Sequence, residues 1–280
     1  MSRYSLLRAL ASNRLSLVGL ILLGAFALAA LLAPWLAPAD SGVTFAPLLA
    51  PASGHLLGTN DLGYDLWGEF LHGARFSLFL GGTAALASAA IGLLVGVVAG
   101  YFHRGGFWLM RLVDVLLCIP RFPLIVLMAA FTRPGLTTLL VFFILFGWPS
   151  VARIIYARIR AEKQSEYIAA VQAIGARDGR ILFRHLLPAA LPVAFVRLVA
   201  EVQHVIMAEA GLSFLGLGDP TMQSWGMTLS HASRYPALLL TDVWQWWVLP
   251  PGLAITAVCV SLVFVGLALD PLANPRLRQE

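Results

Sequence analysis

Six stretches of this 280-residue chain are apolar almost without interruption, at about 15–37, 76–101, 112–132, 136–152, 193–217 and 246–269. A run of roughly 18 or more such residues has the length and character of a bilayer crossing. Inside hydrocarbon no water is present to satisfy backbone N–H and C=O groups, so a single crossing segment must be a helix. The expected fold is therefore an all-α integral membrane protein with six transmembrane helices. Composition agrees, with 59% hydrophobic residues and only 12% charged, about half the charged fraction of soluble domains.

The sparse charges set an expected orientation. Arg3, Arg8 and Arg14 precede the first run, and Arg104 and Arg111 follow the second. Arg153, Arg158, Arg160, Lys163, Arg177, Arg180 and Arg184 fill the long connection after the fourth, and Arg276 and Arg278 end the chain. With six spans all of these fall on one side, whereas Arg75, Arg133 and Arg234 fall on the other. Cytoplasmic loops are enriched in Lys and Arg, so both termini are expected in the cytoplasm. The expected layout is a cytoplasmic tail 1–14, a first span 15–37, an external loop 38–75, a five-helix core 76–269 containing a cytoplasmic loop 153–192, and a cytoplasmic tail 270–280. The first run is longer than a signal-peptide core and reads as a retained span. The net charge of +5 is this same bias. No basic cluster with interleaved aromatics points to nucleic acid. Cys118 and Cys259 both lie in apolar runs and read as small hydrophobes.

One polar segment is unusually organised: EYIAAVQAIGARDGRILFRHLLPAALP, residues 166–192. Ile154, Ile155, Ile159, Ile168 and Val171 recur among polar residues at helical spacing, predicting a helix over 153–174. Gly175 can end it in a left-handed turn. Asp178 can start a second short helix over 179–187, and Pro188 and Pro192 then stiffen the return to the membrane. Two readings fit this pattern: a rigid docking element, or a surface loop lying on the headgroups.

Ionisable residues inside spans are costly and mark candidate sites. The fifth run contains Glu201, His204 and Glu209, which at about 100° per residue fall near one helical face. They are candidates for a polar wall of a translocation path, able to meet a cation or a peptide amine. The alternative is a structural pair, Glu201 with Arg197 one turn earlier. Asp114 reads as an anchor at the cytoplasmic end of its span. Trp244, Trp246 and Trp247 read as an interfacial belt. The chain has a single lysine, Lys163, followed by Gln164, so no phosphate-binding G-x-x-x-x-G-K-[ST] loop is present.

The 166–192 segment resembles the EAA loop of ABC-importer permeases, E-A-A-x3-G-x9-I-x-L-P, with its register set by Gly175 and Leu187-Pro188. Ala169 stands at the Glu position, Val171 at the second Ala and His185 at the Ile. Glu166-Tyr167 and the Arg184-His185-Leu-Leu-Pro188 run are similar to the peptide-type branch. So are HLLGTNDLGYDLWGEFLHGARFSL (55–78), AEAGLSFLGLG (208–218) with SWG (224–226), PGLAIT (251–256) and the DPLANPRLR tail. On these motifs the chain resembles the second-permease type of the dipeptide/oligopeptide/nickel ABC-importer family over nearly its whole length.

The resemblance implies a type I importer permease in the bacterial inner membrane, paired with a second homologous permease and two cytoplasmic ABC ATPases. An external binding protein would deliver substrate. Glu166, Tyr167, Ala169, Ala170, Gly175, Ala176, Leu187 and Pro188 would form the ATPase-coupling element. No cofactor or enzymatic site is implied in this chain, with ATP and Mg bound by the ATPases. A peptide is the first expectation for the substrate, with nickel or a metal chelate as the alternative. More distant alternatives are an ion-coupled secondary transporter, which would want an internal repeat, and a membrane serine protease built on Ser213 and His204.

Overall fold

The computed structural model describes residues 13–37, 45–133 and 135–273. Residues 1–12 and 274–280 of the expected tails, and 38–44 of the expected external loop, lie outside the described residues. Those described are all-helical apart from loops and two isolated β-bridges. Helix α1 spans Arg14–Leu36, α2 Leu66–Tyr101, α3 His103–Cys118, α4 Arg121–Phe131 and α5 Leu136–Lys163. Then follow α6 (Glu166–Ala173), α7 (Asp178–Ile181), a π-helical turn (Leu182–Leu186) and α8 (Leu187–Phe214). Short helices α9 (Trp225–Ser233) and α10 (Trp244–Trp247) precede α11 (Leu249–Ala273).

Five helical stretches are long and apolar enough to cross a membrane, and the bent pair α3–α4 makes a sixth crossing if its two arms act together. The sequence predicts one straight span over 112–132, but the arms meet at 77°. Pro120 is the cause: it disfavours helix at Ile119 before it and has no N–H to continue the ladder. Helix α2 starts at Leu66, where the sequence predicts loop until 76, because the Asp65 carboxylate accepts from the Trp67 and Gly68 N–H groups and caps it. Its 36 residues extend about 54 Å, well beyond the roughly 30 Å of hydrocarbon. The fourth run likewise continues as helix past 152 to Lys163.

The expected tryptophan belt is also corrected. Trp247 is fully buried, packed with Leu66, Ala232 and Val243, and Trp246 is half-buried beside it. These two pack into the end of the bundle opposite the basic loop, whereas Trp244, the third residue of the expected belt, is exposed.

Helix α2 is the axis of the bundle, packing on both α5 and α8, while α1 packs on α11 and α2. Lipid tails are as apolar as side chains, so helix association in a bilayer depends on close fit, and small residues permit it. Gly92, Gly96 and Gly100 fall four apart on α2, opposite Val151, Ile155 and Ile159, four apart on α5. A Cβ on these glycines would lie 2.6, 2.6 and 2.7 Å from the Cβ atoms of Val151, Ile155 and Ile159 respectively. The backbones meet with no room for a methyl group. Gly96→Val is therefore expected to destabilise the chain by about 2 kcal/mol or more, read as a lowered unfolding midpoint in detergent. Gly82→Val is the control, since a Cβ there meets nothing within 4 Å, and its midpoint should stay close to that of the unsubstituted chain.

Candidate functional site

The 166–192 segment folds as a helical elbow at the basic end of the bundle. Helix α5 ends at Lys163, and Ser165 caps the next helix, its Oγ accepting from the Ile168 N–H at 3.5 Å. Glu166 in the first turn of α6 suits the positive end of the helix dipole. So the predicted 153–174 helix is two helices, broken at Gln164-Ser165. Gly175 closes α6 with a φ of +78°. Its N–H donates to the Gln172 carbonyl at 2.9 Å, and the Ala176 N–H donates to the Val171 carbonyl at 3.3 Å. This pair of bonds is a Schellman cap, and its left-handed residue is the one glycine tolerates best.

Beyond the cap the chain does not form a separate 179–187 helix. From Asp178 to Phe214 it runs as one 37-residue helical stretch. Leu182–Leu186 is a wide π-helical turn immediately before Leu187-Pro188. A proline ring clashes with the carbonyl four residues back and lacks the N–H that would bond it; widening that turn removes the conflict and lets the helix continue. Asp178 does not cap the helix with its side chain. Its Oδ1 accepts instead from the Tyr101 hydroxyl at 2.5 Å, at the end of α2.

The elbow is bolted to the bundle. Ile168, Ile181 and Leu186 are at most 1% exposed, packed with Val97 and Tyr101 of α2 and Val151, Ile155 and Ile159 of α5. Lys163 donates from Nζ to the Tyr101 carbonyl at 2.7 Å and lies 4.6 Å from the centroid of its ring. The outer side is different. Glu166, Tyr167, Ala169, Ala170, Gly175 and Pro188 are exposed, while Ala176 and Leu187 turn half-buried toward the core. Large apolar groups stand in the open: Ile174 is 83% exposed, Phe183 70% and Tyr167 54%. Tyr167 also hydrogen-bonds His185 through its hydroxyl.

The polar residues of the fifth run do not share one face. Burial along α8 follows Ala194, Glu201, Val205, Glu209 and Leu212. His204, one residue off that stripe, is exposed, with its Nδ1 2.7 Å from the Ala200 carbonyl. Glu201 is 4% exposed and its partner is Arg121, with Nη2 and Oε1 2.5 Å apart. The expected partner, Arg197, is exposed. The bend at Pro120 aims Arg121 at this carboxylate, and the same Nη2 lies 3.4 Å from the Phe143 carbonyl. Gly147 makes the space: a Cβ there would fall 2.6 Å from Glu201 Oε1 and 2.4 Å from Ser88 Oγ. Glu209 is 1% exposed, its two oxygens accepting from Ser77 at 3.3 Å and Ser213 at 2.7 Å. The hydroxyl of Ser213 is thus a partner of Glu209, and His204 is not near it on the helix face.

Two further polar nodes complete the account. Asp114 lies 3.3 Å from Arg153 and 3.6 Å from Arg111, tying α3 to α5. Glu69, which the sequence reading leaves in a loop, sits in the first turn of α2. It accepts from Asn60 at 2.8 Å and Thr228 at 3.3 Å, joining the 45–65 segment to α9. Sequence reasoning missed this node and Arg121; the Pro120-Arg121 pair was the available signal for the second.

Removing one partner of a buried ion pair strands the other charge. Arg121→Leu is expected to lower stability by about 3 kcal/mol, with most of it restored by adding Glu201→Leu. Unfolding in detergent of the two single variants and the double checks this; simple addition of the two losses would contradict the pairing.

Comparison with known proteins places this architecture. A family model described as "Binding-protein-dependent transport system inner membrane component" matches residues 91–279. A second, described as the N-terminal TM domain of oligopeptide transport permease C, matches residues 5–51. The chain is similar to a putative peptide transport system permease protein of Brucella abortus, 36% identical over 279 residues, covering 98% of this chain and 92% of that one. It is also similar to the oligopeptide transport system permease protein of Bacillus subtilis, 34% identical over 276 residues, covering 96% and 88%. The bundle is accordingly that of a type I ABC permease, a multi-pass protein of the bacterial inner membrane. The chain belongs to the family of inner membrane components of binding-protein-dependent transport systems.

Proposed function

We propose that this chain is a membrane-spanning subunit of an ATP-driven importer that carries peptides across the bacterial inner membrane. The names of its relatives support the peptide. Among the described residues no three His, Cys, Asp or Glu side chains gather as a ligand set, and no observation favours nickel or a metal chelate. In this reading the basic end and both termini face the cytoplasm, an external binding protein delivers the peptide, and a second homologous permease completes the path. Two cytoplasmic ABC ATPases bind ATP and Mg and supply the motion.

The observation that carries the proposal is the elbow, with its inner side locked and its outer side open. Ile174, Phe183 and Tyr167 are exposed where a soluble surface would be expected to be polar, and small Ala169 and Ala170 between them allow close approach. An ATPase cleft seated there desolvates these side chains. Its displacement then acts on Ile168, Ile181 and Leu186, on the Tyr101–Asp178 bond, and so on α2 and α5. The stiff connection from Asp178 through Pro188 into α8 delivers the same displacement to a third span. Within the bundle, the ion pair of Glu201 and the serine bonds of Glu209 favour structural roles for both, and His204 alone of the three candidates is open to a path or a partner.

Ile174→Asp leaves every buried contact of the chain in place and puts a charge where the cleft would close. The co-expressed complex carrying it is expected to lose at least about tenfold of the ATPase stimulation by loaded binding protein, since a desolvated apolar anchor contributes that much or more. Gly175→Pro, whose fixed φ near −65° opposes the observed +78°, is expected to assemble poorly. Gly179→Ala, with open space around its Cβ position, should behave as the unsubstituted protein. Full assembly and full stimulation with both Ile174→Asp and Gly175→Pro would make the elbow a surface loop.

A further inference from the structure

At the end of the bundle opposite the elbow lies an open cleft that none of the roles above uses. Its volume is about 550 Å³, within the range of about 300–1,000 Å³ of small-molecule sites. One wall is a stripe of α2: His72, Arg75, Phe76 and Phe79, spaced at i, i+3, i+4 and i+7. The start of α5 and the connection between α8 and α9 close the other side, where Thr221 and Gln223 bring polar side chains.

Some arginines of the chain are held by carboxylates, while others, Arg197 among them, are exposed without one among the described residues; Arg75 is of the second kind and lines the cleft. Arg121 has Glu201, and Arg111 and Arg153 share Asp114. Arg75 is exposed into the cleft, and among the described residues no carboxylate lies within ion-pair distance of it. It stands nine residues into α2, about 14 Å along the helix. His72 beside it is fixed, with Nε2 2.7 Å from the Ala37 carbonyl. A carbonyl only accepts, so Nε2 carries the proton there.

We propose that this cleft is a receiving subsite for a short peptide on the outward side of the path, with Arg75 binding its C-terminal carboxylate. This rests on the peptide reading above. A guanidinium presents paired N–H donors that match a carboxylate. Phe76 and Phe79 offer an apolar wall for peptide side chains, and Thr221 and Gln223 offer partners for backbone amides. The buried glutamates of α8 already have partners, and the charged side chain of the cleft's lining is the cation Arg75, which suits the peptide's negative end.

The test uses the full transporter with its partner subunits in liposomes, and compares uptake of trialanine with that of trialanine amide. Each variant's rate is divided by the unsubstituted rate for the same peptide, which removes the binding protein's own preference. Arg75→Gln is expected to lower uptake of the free acid by about tenfold or more, the value of a charge-assisted bidentate contact, while the amide stays within about twofold. Arg75→Lys, which keeps the charge and loses the fork, should fall between. A second measurement replaces Phe79 with a photo-cross-linking residue, expected to capture labelled trialanine during turnover. Equal loss for acid and amide, as a structural or lipid-headgroup role of Arg75 would give, overturns the proposal, as does no loss. If the unsubstituted transporter does not carry the amide, the cross-link decides, and absence of capture overturns it. Uptake of neither peptide by the unsubstituted transporter would instead remove the peptide reading and this subsite with it.

Discussion

Hydrocarbon offers no hydrogen-bond partner, and the rest of this structure follows from that constraint. Backbone groups are satisfied within helices, and the crossings that result must then hold together without the aqueous hydrophobic effect between them. The glycine ladder of α2 answers that second requirement by letting α5 approach to backbone contact. Side chains obey the same rule. Glu201 is met by Arg121 of α4, and Glu209 by Ser77 of α2 and by Ser213 one turn along its own helix. Even the break at Pro120 conforms, since it turns the chain so that Arg121 reaches the carboxylate waiting in the bundle.

The elbow joins this interior to the aqueous phase. Its geometry is over-determined: a serine cap at one end of α6, a left-handed glycine cap at the other, and buried isoleucines on both arms. A hinge would have few buried contacts; this segment has a core of its own, continuous with α2 and α5. A force applied to its outer surface is therefore transmitted and not absorbed. The Tyr101–Asp178 bond and the Lys163–Tyr101 contacts place the end of the axial helix directly in that line.

Much of this was legible in the sequence, and the reasons for the rest are specific. Apolar length located the crossings, because length is what a bilayer selects. Gly175 declared its turn, because a Schellman cap is a local feature. The run Ile119-Pro120-Arg121 carried the bend, but apolar composition on either side masked it. The continuation of α8 through Pro188 needed the π-helical turn, which no propensity reports. Glu201 had Arg197 as its nearest cation in sequence, yet Arg121 holds it from 80 residues away, a relation that exists only once the helices pack. The G-x3-G-x3-G spacing at 92–100 was passed over in the sequence, because it gains its meaning only opposite Val151, Ile155 and Ile159. Trp247 looked interfacial because three tryptophans cluster, whereas the fold places it under α9.

The central claim is that elbow and bundle move as one body. It is tested most directly by spin-label distances in the assembled transporter, with Cys118 and Cys259 replaced, one label at Ala170 on the elbow and one at Phe102 beside the end of α2. The account predicts that this distance is the same with and without a non-hydrolysable ATP analogue, while the distance from Ala170 to the partner permease's equivalent loop changes. A nucleotide-dependent change between Ala170 and Phe102 would show that the elbow flexes against the bundle, and would contradict the account.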